Sequence, residues 1–351
     1  MGAVTHYWMR SETRGTERRA PITPDDAARL LRAGHEVSVE RSPQRIFPDD
    51  DYATAGLALV DTGSWPDAPD DAVVVGIKEL PDDPDALRHR HLFFGHAYKG
   101  QEGSEQLLDR FQRGGGRLLD VEYLTEGGRR VVAFGYWAGY VGAALGVLHH
   151  RGVLPTPLQP WDRQILDRML AESVDHTSRA LVTGSRGRSG TGATDALTVA
   201  GVPTTGWDVE ETRDLDTAAL LAHDVLVNCV VATTPQTPFV TTTDLAADGR
   251  DLDVVADVTC DVTSDLNLIP VNTAITTWEQ PVRRVGDEAH GLDVIAVDNL
   301  PSLLPREASE SYSADLLRQL LLLDAGSEAW TAADRAYDAA RSGGDAAASG
   351  S

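Results

Sequence analysis

Between Leu181 and Ala193 the chain reads Leu181-Val182-Thr183-Gly184-Ser185-Arg186-Gly187-Arg188-Ser189-Gly190-Thr191-Gly192-Ala193, an apolar run that breaks into glycines and resumes as a helical pattern ending near Gly201. Glycines at Gly184, Gly187 and Gly190 permit a tight turn. They also let backbone amides approach a pyrophosphate at the first turn of a helix, where the macrodipole favours negative charge. The spacing is not a strict G-x-G-x-x-G, so the loop takes its meaning from the strand after it. A second apolar run ends in Gly206-Trp207-Asp208, and Asp208 stands where a dinucleotide fold places an acid on the adenosine ribose hydroxyls. Such an acid repels a 2′-phosphate and favours NAD over NADP. Arg186 and Arg188 offer positive charge to either a pyrophosphate or a 2′-phosphate.

The rest of the chain repeats the same alternation. Strands are expected at His35–Val39, Ala72–Ile77, His91–Phe94 and Arg117–Val121, with helices at Pro24–Arg32, opened by Thr23 as N-cap, and at Gln106–Phe111. Further strands are expected at Ala180–Thr183, Thr205–Trp207, Val225–Asn228, Val254–Val258 and Val294–Val297. Strands alternating with helices imply parallel sheets covered on both faces. The expected fold is therefore α/β, with two Rossmann-like domains and the active site in the cleft between them. The substrate domain is expected at 1–134 plus 300–341 and the NAD-binding domain at 135–299. The Gly, Ala and Ser tail at 342–351 is expected to be disordered.

Composition narrows the function. The net charge of -23 repels nucleic acid and anionic membrane surfaces, so neither is an expected partner. Val131–Leu148 carries no charge, but Gly135, Gly139, Gly142 and Gly146 make it weakly apolar. It reads as a buried helix whose glycines let another backbone come close. Cys229 and Cys260 have neither metal-ligand spacing nor a disulfide framework, which makes a reducing cytoplasm the expected compartment and leaves no metal to be held. Lysine occurs only at Lys78 and Lys99. A desolvated lysine can give up its proton where a guanidinium cannot, and Lys78 and His96 both follow expected strands, where open α/β sheets place their ligands.

Around these residues lie Arg14 and Arg19 in the segment Arg10–Pro24, the sequences Gly76-Ile77-Lys78-Glu79 and His96-Ala97-Tyr98-Lys99, Glu122, Arg130 to Phe134, and Asp298-Asn299-Leu300-Pro301-Ser302. Together they resemble the NAD-dependent, L-lysine-forming saccharopine dehydrogenases, a family related to alanine dehydrogenase and transhydrogenase, from about Val4 to about Leu322. The resemblance implies cleavage of saccharopine to lysine and 2-oxoglutarate, reversible with NADH. It implies His96 and Lys78 as the catalytic base and acid, and Glu79 and Glu122 as acids that tune them. Arg19, Lys99, Arg130, Phe134 and Arg14 are implied on the substrate, and Asp298 with the glycine loop on NAD.

Some relatives carry a cysteine where Ser189 stands, able to pair with the position of Cys229; Ser189 rules that bridge out. Arg14 stands where lysine is common, which leaves open an opine-type reductase joining a different amine or keto acid. Small molecules are the expected partners, of a monomer or small homo-oligomer.

Overall fold

Short β-branched and aromatic runs supply the first sheet, each followed by a helix or turn that brings the chain back to the same edge. The computed structural model describes residues 4–98, 103–173 and 178–348. Its strands begin with β1 (His6–Met9), β2 (Glu36–Glu40), β3 (Ala58–Val60), β4 (Val73–Val75), β5 (Arg90–Phe93) and β6 (Arg117–Asp120). They lie in the order β3-β2-β1-β4-β5-β6, all parallel. Helix α1 (Pro24–Arg32) has the bounds its sequence predicts, because Thr23 accepts from the Asp26 amide and Asp25 and Asp26 meet the positive end of the helix. A shorter helix, α2 (Asp49–Thr54), follows β2. Helix α3 (Ser104–Gly114) runs past the expected Phe111 until Gly115 adopts a left-handed φ of 74°. A small hairpin, β7 (Thr125–Glu126) and β8 (Arg129–Arg130), closes this part.

The second sheet follows α4 (Gly135–His150) and α5 (Arg163–Glu172). Its elements in chain order are β9 (Ala180–Thr183), α6 (Arg188–Val199), β10 (Thr204–Trp207), α7 (Val209–Arg213), α8 (Thr217–Leu221), β11 (Val225–Asn228), β12 (Val254–Asp257), β13 (Arg283–Val285) and β14 (Leu292–Ile295). The strand order is β10-β9-β11-β12-β14-β13, and β13 alone runs antiparallel to its neighbour. The glycines of α4 do what their spacing suggests. A Cβ on Gly139 would lie 1.8 Å from the Ser189 carbonyl oxygen, and one on Gly192 would lie 1.9 Å from that of Tyr136, so α4 and α6 cross backbone to backbone. Among the described residues no helix is long and apolar enough to cross a membrane.

The chain then returns through α9 (Pro305–Leu320) and α10 (Glu328–Ala348) to cover the first sheet. Tyr7 donates its hydroxyl to the Leu320 carbonyl at 2.6 Å, Arg117 pairs with Asp334, and the Tyr337 ring stands edge-on to Phe111. Two units result, Met1–Ala133 with Pro305–Ser351, and Phe134–Leu304. The second crossing thus falls later than residue 300. The turn Leu300–Leu303 stays with the second unit because Leu303 accepts from the Trp161 amide at 2.8 Å and Leu300 packs against the gap at Gly142. Phe134 also belongs to the second unit, as the residue preceding α4. Helical backbone continues to Ala348, into the segment whose composition suggests a tail from Ser342.

Candidate active site

In the first sheet the chain builds β1, β2 and β3 in one direction and then starts again on the other side of β1 with β4. The loops leaving β1 and β4 therefore start side by side and lead away to opposite flanks of the sheet, and the edge between them is the switch point where such sheets hold ligands. Lys78 lies just beyond β4, His96 just beyond β5, and Glu122 in the turn after β6. Three adjacent strands thus deliver the three residues to one edge.

His96 adopts φ 48°, a left-handed conformation unusual for a residue with a Cβ. Its ring stacks on Phe94 at 6.3 Å, and its Nδ1 lies 3.6 Å from Glu122 Oε1. Glu122 Oε1 also accepts from Arg130 Nη2 at 3.3 Å. The Glu122 side chain is 12% exposed while those of its partners are 51% and 45% exposed, so a largely buried acid holds two accessible groups. Beneath them Asp120 is fully buried at the end of β6. Burial pushes its carboxyl up to about 6, and the Glu122 charge pushes the same way. The amides of Glu122, Gly95 and His96 pull it back in part.

The other cations have acidic partners. Arg14 grips Glu79 through two parallel bonds, Nε to Oε1 at 2.9 Å and Nη2 to Oε2 at 3.2 Å. Burial raises the Glu79 carboxyl, but its own amide, Arg14 and Lys78 outweigh that, and it ends below the usual carboxylate range. Arg19 is buried and makes the same forked contact with buried Glu17, at 2.8 and 2.6 Å. Lys99 lies outside the described residues. A cavity of about 590 Å³ opens beside His96, lined also by Glu79, Phe94, Gly95 and Ser104.

Sequence reasoning missed Arg10, Glu12 and Asp120, whose side chains meet backbone groups of other strands' loops, in Asp120's case the Gly95 and His96 amides. Only the sheet order brings those loops together, so no local signal marks these residues.

In the second sheet the switch point lies between β9 and β11, and a cavity of about 1010 Å³ occupies it. Gly184, Gly187, Asp208, Arg213, Cys229 and Val230 are among its lining residues. Gly184 takes φ 67°, and a Cβ on Gly190 would lie 2.1 Å from the Gly184 carbonyl oxygen, so the turn closes only without side chains there. Asp208 holds the loop in place, accepting from the Arg186 amide at 3.0 Å and the Val209 amide at 2.9 Å.

A glycine cradle at the first turn of α6, an acid at the end of β10 and a cavity of this size fit a dinucleotide. Arg186 and Arg188 are exposed, as is Asp298. Arg213, five positions beyond Asp208, reaches the cavity unanticipated by the sequence. Burial pushes the Cys229 thiol up to about 12.

Residues 8–141 match the family described as alanine dehydrogenase/PNT, N-terminal domain. The saccharopine dehydrogenase (NAD(+), L-lysine-forming) of Neurospora crassa is 42% identical, covering 96% of this chain and 96% of its own. Its counterpart in Emericella nidulans is also 42% identical, over 90% and 91%. Among solved structures, an L-alanine dehydrogenase matches with a TM-score of 0.67 at 18% identity, over 95% of this chain and 94% of its own. The transhydrogenase from Sinorhizobium meliloti matches at 0.64 and 15%, over 91% and 94%. These two share the fold. Identity sustained over nearly the whole of both chains, on a fold that carries a dinucleotide cradle, makes this protein a member of the NAD-dependent, L-lysine-forming saccharopine dehydrogenase family.

Proposed function

We propose that this chain interconverts saccharopine with L-lysine and 2-oxoglutarate, using NAD. The observation that carries the reading is the delivery of Lys78, His96 and Glu122 to one sheet edge by the neighbouring strands β4, β5 and β6. NAD supplies the hydride acceptor for the secondary amine when bound, and Gly184, Gly187, Gly190 and Asp208 would hold it. Everything else is proton movement. Lys78 takes the proton from the substrate amine as it is oxidised to an imine. His96 then removes a proton from the water that adds to the imine carbon, passes it to the carbinolamine nitrogen, and, neutral again, takes the hydroxyl proton as the carbon–nitrogen bond breaks. Lys78 returns its proton to the departing lysine nitrogen.

Glu122 serves His96 by placing its carboxyl group 3.6 Å from the imidazole Nδ1. Arg130 and Arg14 reach solvent and are the cations placed to meet substrate carboxylates. Arg19, held by Glu17, fixes the fold of the loop before α1 and adds positive charge to the same edge.

The test is oxidation of NADH in the presence of lysine and 2-oxoglutarate, each omitted in turn, beside a panel of other amines. Turnover that needs both supports the proposal. No turnover with that pair, or faster turnover when ornithine replaces lysine, would sink it.

A further inference from the structure

We propose that Arg10 and Glu12 are positioning residues that fix the backbone carrying Lys78, an inference that rests on Lys78 being the group that moves the amine proton. The loops leaving β1 and β4 lie side by side at the switch point of the first sheet. Glu12 presents one carboxylate oxygen to each of two consecutive amides, Oε1 to Ile77 at 2.7 Å and Oε2 to Lys78 at 3.0 Å. Arg10 closes on the carbonyl side. Its Nη2 donates to the Lys78 and Glu79 carbonyls, and its Nη1 donates to Glu12 Oε2 at 3.3 Å. One ion pair therefore holds both the amide and the carbonyl of Lys78, leaving only its side chain to move.

Burial argues that this contact serves geometry. The Arg10 and Glu12 side chains are 1% and 5% exposed, and a buried ion pair contributes little net stability because desolvation offsets its attraction. Gly76 belongs to the same device. A Cβ there would lie 2.4 Å from Arg10 Nε, so any side chain at this position would displace the guanidinium. The Phe93 ring, 5.8 Å from Arg10 Cζ, bounds the other side. Displacing a reacting group by about 1 Å costs about a hundredfold in rate, which sets the scale of what the clasp protects.

Three variants test this in the full-length enzyme, beside Lys78→Met, the first two being Glu12→Gln and Gly76→Ala. Glu12→Gln leaves a single carbonyl oxygen where two amides need acceptors. Gly76→Ala drives a methyl group into the guanidinium while changing no charge, and it decides the matter should Glu12→Gln fail to fold. In both, kcat is expected to fall by about 30- to 100-fold while KM for saccharopine and the Kd for NAD change by less than about threefold. The limb of the kcat–pH profile that Lys78→Met removes is expected to move. Arg10→Lys, which keeps the charge without the fork, is expected to restore less than about a tenth of the parent kcat. Parent-like kcat and pH profile in Gly76→Ala, with Lys78→Met inactive, would overturn the positioning role and leave Lys78 its task. Normal turnover by Lys78→Met would instead overturn the reading beneath it.

Discussion

A carboxyl group without exposure to water, placed under two residues that are largely exposed, is an expensive arrangement, and Asp120 is one. Its proton affinity rises on folding, from an ordinary 3.8 to about 6. The stability it contributes is therefore fully present below about pH 4 and lost as pH rises through 6, so that the ionised form is a net cost at neutral pH. Asp120→Asn, which does not titrate, is expected to gain on the parent by up to about 3 kcal/mol between pH 4 and pH 7, as read from urea melts at both. Its activity should fall, because an amide cannot receive the Glu122 and His96 amides as a carboxylate does.

Lys78→Arg is expected to lower kcat by about a thousandfold with little change in KM, because the guanidinium keeps its proton; steady-state kinetics with saccharopine check this. Lys78 and His96 stand out in the sequence because lysine is scarce and both follow expected strands, whereas Glu122 is marked only by the family resemblance; the strand order then brings the three to one sheet edge. Asp120, Glu12 and Arg10 do not stand out, since what defines them is a backbone partner supplied by another strand's loop.

Elements were legible to the degree that their signals were local. Helix α1 has a cap, a proline and two acids at its start, and its bounds match the expectation. Strands β9 and β11 match as well, because each is a short apolar run stopped by a glycine or a polar residue. Strands β1 and β3 were not anticipated. The first is His6-Tyr7-Trp8-Met9, without a β-branched residue, and the second is three residues long. The glycine spacing of α4 was legible, but its partner was not. That partner is the first turn of α6, which carries the dinucleotide loop. Gly139→Ala is therefore expected to cost about 2–3 kcal/mol of stability by overpacking and to weaken NAD binding, since the methyl group meets the Ser189 carbonyl. Thermal melts and NAD titration measure the two effects, with Gly15→Ala, which meets nothing within 4 Å, as the comparison.

At the scale of the whole molecule the acidic surface and the substrates have opposed interests. A chain of net charge -23 repels 2-oxoglutarate, a dianion, and attracts the lysine cation at distances beyond the reach of its own arginines. Raising salt from about 10 to 200 mM should therefore raise kcat/KM for 2-oxoglutarate relative to that for lysine by about two- to threefold, with NADH saturating. The same scale shows an order of events that no single site reveals. Residues 134–304 form one unbroken stretch, whereas the other unit is made of two pieces on either side of it. On the ribosome the stretch that binds the cofactor is complete before residue 305 is added, and the buried core cluster around its sheet runs from Leu181 to Ala296. Strand β1 and the Phe111 face must wait for Leu320 and Tyr337. A fragment of 134–304 should fold and bind NAD alone, while 1–133 alone should precipitate. The half of this enzyme that is translated first is thus the half that is finished last.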